Sequence, residues 1–155
     1  VKNLEHIREQ SFKLKEIVIK EHPNDPRTQR LKTNMTPERT VFSEATPDSQ
    51  FTSHTQNKGE AIIFCLRQRN SKEELVDLNT MMFVAIHEMG HVISETIGHN
   101  DEFWGNFKFL LQHAVPVGLY RHENYTENPK PYCGIQVSDT PLSDPTIVAD
   151  NFASV

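Results

Sequence analysis

Residues 78–100 read LNTMMFVAIHEMGHVISETIGHN, and the spacing within this stretch decides the fold. Leu78, Met81, Met82, Ala85, Met89, Val92 and Ile93 recur at intervals of three and four, which places them on one face of an α-helix. Asp77 or Asn79 can cap its start, and Gly98 suits the left-handed position just past a helix end, so the pattern predicts a helix over 80–96, roughly 17 residues long. Inside that helix sits His87-Glu88-Met89-Gly90-His91. Two imidazoles four residues apart project from the same face about one turn apart, so both can reach one Zn²⁺ at about 2.0–2.1 Å. Glu88 lies one residue off that axis, where it can accept a proton from a water whose pKa the metal lowers towards about 7.

A zinc ion that does chemistry takes three protein ligands and keeps a fourth position open. His99 follows directly after Gly98, where the chain turns out of one helix and into the next, and can fold back towards His87 and His91. A glutamate ligand on a following helix would fall about twenty residues past His91, yet positions 105–120 contain no acid. Cys65 is the rival third ligand. A closed structural site would need a fourth His or Cys close by.

Working outward, Asn100 or Asp101 caps a second helix carrying Phe103, Trp104, Phe107, Leu110, Leu111 and Ala114, which Pro116 ends or kinks. Upstream, residues 61–66 are almost wholly apolar and form a strand buried on both faces or against a helix. The polar Gln56-Asn57-Lys58-Gly59-Glu60 loop joins that strand to residues 51–55 as a hairpin. Leu4, Ile7, Leu14, Ile17 and Val18 mark an amphipathic helix over residues 1–20, ending near His22-Pro23. Residues 23–47, with four prolines, read as an extended connector with a short strand around 40–42. The last 30 residues read as irregular, with at most one short strand at 135–137. The sum is an α+β domain: a small, mostly antiparallel sheet packed on the helix bearing the motif, the second helix at its end, and the N-terminal helix across the sheet.

The 155 residues fit one domain with a real core, the metal-binding part spanning about 59–135 and an irregular tail 136–155. Net charge is −5, so no overall positive field would collect nucleic acid or anionic lipid. No apolar run approaches the roughly 18 residues of a spanning helix. Cys65 and Cys133 are too few for a disulfide scaffold and lack paired zinc spacing, which favours buried thiols. The first residue is Val1, which leaves room for an upstream signal or anchor, and nothing fixes the compartment, although an intracellular setting is slightly favoured. Asn34-Met35-Thr36 and Asn124-Tyr125-Thr126 match a glycosylation pattern that matters only in a secreted chain. His6, His22, His54, His113 and His122 lack ligand spacing and read as surface or loop histidines. Met81, Met82 and Met89 read as core, Phe103, Trp104 and Phe107 as core beneath the metal, and Glu95 and Asp101 as solvated charges or acceptors for the ligand imidazoles.

His-Glu-Met-Gly-His, then Gly98-His99, then Phe103-Trp104, resembles the minimal zincins of the WLM and SprT-like metallopeptidase group. More loosely, Ile63-Phe64-Cys65-Leu66-Arg67 and Tyr132-Cys133-Gly134 resemble uncharacterised WLM-like proteins of large DNA viruses and microbial eukaryotes, so the likeness covers about residues 59–135. WLM sequences usually separate the second and third His by six positions, whereas here they stand eight apart. The resemblance implies one catalytic zinc held by His87, His91 and His99, Glu88 as general base, an aromatic four residues past the third His packed beneath the site, and hydrolysis of peptide bonds in a protein or peptide substrate. A second donor to the transition-state oxyanion is expected, with Tyr132 favoured over Tyr120, Tyr125, His113 and His122. Residues 61–67 or their hairpin partner could offer a sheet edge to an extended peptide. The rival functions are a non-catalytic zinc-stabilised interaction module, which has no need of Glu88, and another metal-dependent hydrolase.

Overall fold

The computed structural model describes residues 2–46, 52–69, 72 and 74–149. In chain order its elements are α1 (Lys2–Glu21), α2 (Pro26–Asn34), β1 (Val41–Glu44), β2 (Ser53–Gln56), β3 (Ala61–Phe64), α3 (Leu78–Ile93), α4 (Asp101–Ala114), β4 (Lys130–Tyr132) and β5 (Ile135–Val137), with a 3₁₀ turn at Pro141–Ser143. The fold is α+β. β3 is the middle strand of a three-stranded sheet, parallel to β1 and antiparallel to β2, while β4 and β5 form a separate antiparallel hairpin. α3 packs against α4, α1, α2 and β2, and twelve of its sixteen residues are buried, so the helix carrying the motif is also the centre of the core.

Local chemistry accounts for where α3 starts and stops. The Asp77 carboxylate accepts the Thr80 N–H at 3.1 Å, which is the N-cap bond. The helix ends at Ile93 rather than near 96, because Ser94 turns extended and its hydroxyl donates back to the Gly90 carbonyl at 2.7 Å. The next two amides find an acceptor off the helix: Glu102 accepts from Glu95 N at 2.7 Å and Thr96 N at 3.0 Å. Gly98 does take a positive φ of 98°, but in the loop beyond the helix. Asn100 caps α4 by accepting the Phe103 N–H at 3.0 Å, and α4 ends just before Pro116, as expected.

Four expectations need correction. Part of the stretch expected to be an extended connector is α2, because Asp25 caps it and Pro26 occupies its first turn, where a missing N–H is harmless. β4 is a strand that Pro131 obscured, being tolerated on a two-stranded ribbon. β3 ends at Phe64 and alternates, with Ile62 and Phe64 buried and Ala61 and Ile63 partly covered, so it is not buried on both faces. Cys65 and Cys133 are not thiols: they form a disulfide that ties the end of β3 to the turn between β4 and β5. Sixty-eight positions separate them, and no local sequence signal announces such a pairing. The hairpin, α1 and the strand near 41 lie where expected, although Phe51 falls outside the described residues.

Candidate metal centre and cleft

α3 presents His87 and His91 one turn apart, and the loop of residues 94–100 returns His99 to meet them. The Nε2 atom of His99 stands 3.1 Å from that of His87 and 3.2 Å from that of His91. One ligand atom from each of the three lies within 4.8 Å of the other two. Donors around a tetrahedral zinc at 2.0–2.1 Å stand roughly 3.3 Å apart, so the set fits that ion. This is a zinc-protease type of ligand geometry, on a helix packed against a small sheet, and it suits metal-activated catalysis.

Phe103, four residues past His99, forms the floor of the site. Its ring stacks on His91 with centroids 4.3 Å apart and meets His87 and His99 edge-on at 4.8 and 4.9 Å. Gly90 makes room for it, since a Cβ there would lie 2.9 Å from Phe103 Cε1. Burial pushes the His87 imidazole down to about 3 and His91 to about 4, helped by the neighbouring histidines. Both are therefore neutral, lone-pair-bearing ligands at physiological pH.

Glu88 is buried beside them, and each of its carboxylate oxygens takes a hydroxyl from β2. Ser53 Oγ donates to Oε2 at 2.8 Å and Thr55 Oγ1 to Oε1 at 2.7 Å. Burial raises the Glu88 pKa to about 7, while the two hydroxyl bonds pull it down. A carboxylate near 7 is poised to take and return a proton at neutral pH.

The site opens into a cleft of about 730 Å³. It is lined by β2, an edge strand of its sheet, with residues 52–55, by Ile135, Gln136 and Val137 of the β4–β5 hairpin, and by Phe83, Val84, Trp104 and Phe107. An open cleft over three donors, with a buried carboxylate alongside, is the arrangement of a metalloenzyme site rather than of a purely structural module.

The other expected residues fall as follows. Tyr132 lines the cleft, but its hydroxyl donates to the Thr52 carbonyl at 3.2 Å and accepts the Cys65 N–H at 3.1 Å, so its one proton is already engaged. Tyr120 and Tyr125 pack on Phe83 in the core. His122 faces Ser143, and His113 meets His22 and Glu21 near the far end of α4 from His99. Cys65 is consumed by the disulfide and is no ligand. Glu95 pairs with Arg30 at the surface. His54, read as a surface or loop residue, lies on β2 and lines the cleft.

Several contributors were not foreseen. Ser53 and Thr55 could have been found as two small hydroxyls at i and i+2 of a strand, sharing one face beside the motif helix. Lys58 holds the His91 carbonyl at 3.1 Å and the Thr96 carbonyl at 2.6 Å, and Glu102 orders the loop that carries His99; neither leaves a signal in sequence.

No protein-family profile matches the chain, and no solved structure matches it. It is similar to an uncharacterised protein of Acanthamoeba polyphaga mimivirus, 34% identical over 100 residues that make up 64% of this chain and 50% of that one. It is also similar to uncharacterised proteins of Invertebrate iridescent virus 6, 39% identical over 69 residues (44% of this chain, 38% of that one), and of Invertebrate iridescent virus 3, 43% identical over 68 residues (44% and 42%). The chain spans about half or less of the length of these relatives.

Proposed function

We propose that the chain is a single zincin-like domain of the WLM and SprT-like kind that hydrolyses peptide bonds in a protein or peptide substrate. The observation that carries this reading is the convergence of three imidazole Nε2 atoms at the floor of an open cleft, with the Glu88 carboxylate buried beside them. His87, His91 and His99 would hold one Zn²⁺. When bound, the ion supplies a Lewis acid that polarises the scissile carbonyl and acidifies a neighbouring water. Glu88 accepts the proton of that water at a carboxylate oxygen and hands it to the leaving amine. Ser53 and Thr55 keep both oxygens oriented through the exchange. β2, on the outside of its sheet, offers backbone groups to an extended peptide, and the apolar side of the cleft takes its side chains. Tyr132 can serve as a second oxyanion donor only by exchanging its bond to Thr52.

Elemental analysis of wild type, His99→Ala and Glu88→Gln, beside cleavage of an unstructured protein such as casein, tests this. Zinc in wild type, lost in His99→Ala and retained without cleavage in Glu88→Gln, supports the reading. A wild type that cleaves nothing when zinc-loaded, or a Glu88→Gln variant as active as wild type, refutes it.

A further inference from the structure

A second convergence of ligand atoms lies away from the cleft, where the C-terminal ends of α1 and α4 meet. His22 Nε2 and His113 Nε2 stand 2.8 Å apart, and Glu21 Oε2 lies 3.2 Å from His113 Nε2. One ligand atom from each of these residues lies within 4.8 Å of the other two. Their spacing is near the roughly 3.3 Å that separates donors around a tetrahedral ion.

With both imidazoles neutral, these groups do not satisfy one another alone. His113 Nδ1 faces the Phe109 carbonyl at 2.7 Å and donates to it, so in a neutral ring Nε2 carries only a lone pair. The Glu21 carboxylate carries only lone pairs as well. Among three atoms facing one point, only His22 can then bring a proton, and one proton bridges only two of them. A divalent cation satisfies all three.

The ligands are also held in place. The bond from His113 Nδ1 to the Phe109 carbonyl fixes tautomer and ring orientation, as the outer contacts of metal-bound histidines do. The Phe109 ring packs on both imidazoles, with centroids 5.1 Å from His22 and 4.7 Å from His113. Arg27, the cation stacked on Phe109, is paired with Asp25 at 2.7 Å, which offsets its charge near a positive ion.

We propose that Glu21, His22 and His113 form a second, structural metal site for a zinc-type divalent ion, pinning the end of α1 to the end of α4. Two imidazoles and one carboxylate suit zinc and its neighbours in the first transition row. Glu21 is more than half exposed, so the remaining coordination position faces solvent.

The test uses the full chain, loaded with zinc, dialysed against metal-free buffer and analysed for metal. Wild type is expected to hold two zinc ions per chain. The double variant His87→Gln/His91→Gln, which disables the cleft site, should hold one, and adding His113→Gln to it should leave none. Zinc should raise the melting temperature of the double variant and not of the triple one. Because the double variant is read for metal and melting alone, the outcome is independent of whether the cleft hydrolyses peptides. No zinc in the double variant overturns the proposal, as does equal zinc content with and without His113. If His113→Gln does not fold, Glu21→Gln in the double-variant background takes its place: zinc affinity should fall about tenfold or more, and unchanged affinity overturns the assignment.

Discussion

Thr55 Oγ1 donates to Glu88 Oε1 over 2.7 Å, and Ser53 matches it on the other carboxylate oxygen at 2.8 Å, so the strand beside the motif helix lowers the proton affinity of the candidate base against the burial that raises it. Hydrogen bonds to a charged carboxylate favour its ionised form, and removing them raises the pKa. At about 1.5–3 kcal/mol per bond to a charged group, Thr55→Val should move the acid limb of kcat/KM upward by roughly one to two pH units. Activity near pH 7 then falls about tenfold and returns at higher pH. Thr55→Ser should restore the wild-type profile, and an unmoved limb in Thr55→Val would count against this role.

Gly90 and Phe103 form a lock in the packing. A Cβ at 90 would meet Phe103 Cε1 at 2.9 Å and Phe107 Cβ at 3.5 Å. Gly90→Val therefore displaces the ring on which the three histidines rest, and overpacking of this kind costs about 1–3 kcal/mol. Zinc affinity should fall together with thermal stability, measured by competition with a chelator and by calorimetry.

Phe103→Ala empties the same place from the other side. The ring is fully buried, and its removal should cost about 3–5 kcal/mol through lost burial and the cavity left behind. Phe103→Leu should recover most of the stability but less of the zinc affinity, because a branched aliphatic cannot stack on His91. Denaturant midpoints and zinc titrations separate the two effects.

Reduction of the Cys65–Cys133 disulfide opens a loop of 68 positions, worth about 4 kcal/mol in a chain-entropy account. Cys133→Ser should lower the melting temperature clearly. It should also loosen the β4–β5 wall of the cleft, seen as faster hydrogen exchange over 130–137.

In the metal-free chain, pH acts on the same residues with opposing signs. His87 and His91 have folded values of about 3 and about 4, below their ordinary 6.5, so between 6.5 and about 4 the unfolded chain binds protons that the folded one refuses, and acidification destabilises. Glu88 is raised from 4.5 to about 7, so the folded chain holds an extra proton in that window, and stability from this group is lost as pH rises through 7. Two histidines outweigh one glutamate below 6.5. Denaturation in the presence of EDTA should show greatest stability near pH 7 and a steady decline towards pH 4.

The parts of the molecule that sequence made legible are those governed by local periodicity. α1, α3, α4 and the β2–β3 hairpin announce themselves by spacing, caps and turn residues, and the geometry brings together the three histidines that the motif and Gly98-His99 single out. What stayed hidden depends on partners distant in the chain. The disulfide, the clasp of Lys58 on the loop after α3 and the pairing of His22 with His113 across 91 positions leave no local trace. α2 was hidden for a different reason: Pro26 starts a helix when an Asp precedes it, and a run of prolines masks that rule.

Two of the three cleft histidines stand on the most deeply packed helix of the fold, and the third on the loop between α3 and α4. The three contacts therefore differ in how they can let go. His87 and His91 are carried by a backbone that shifts only when the core itself opens, a rare global event. His99 can swing away whenever Glu102 and Lys58 release the loop. The exchange rate of an ion held there would thus depend on a few surface hydrogen bonds more than on the stability of the domain, and weakening either clasp should make the metal kinetically labile while leaving the fold intact.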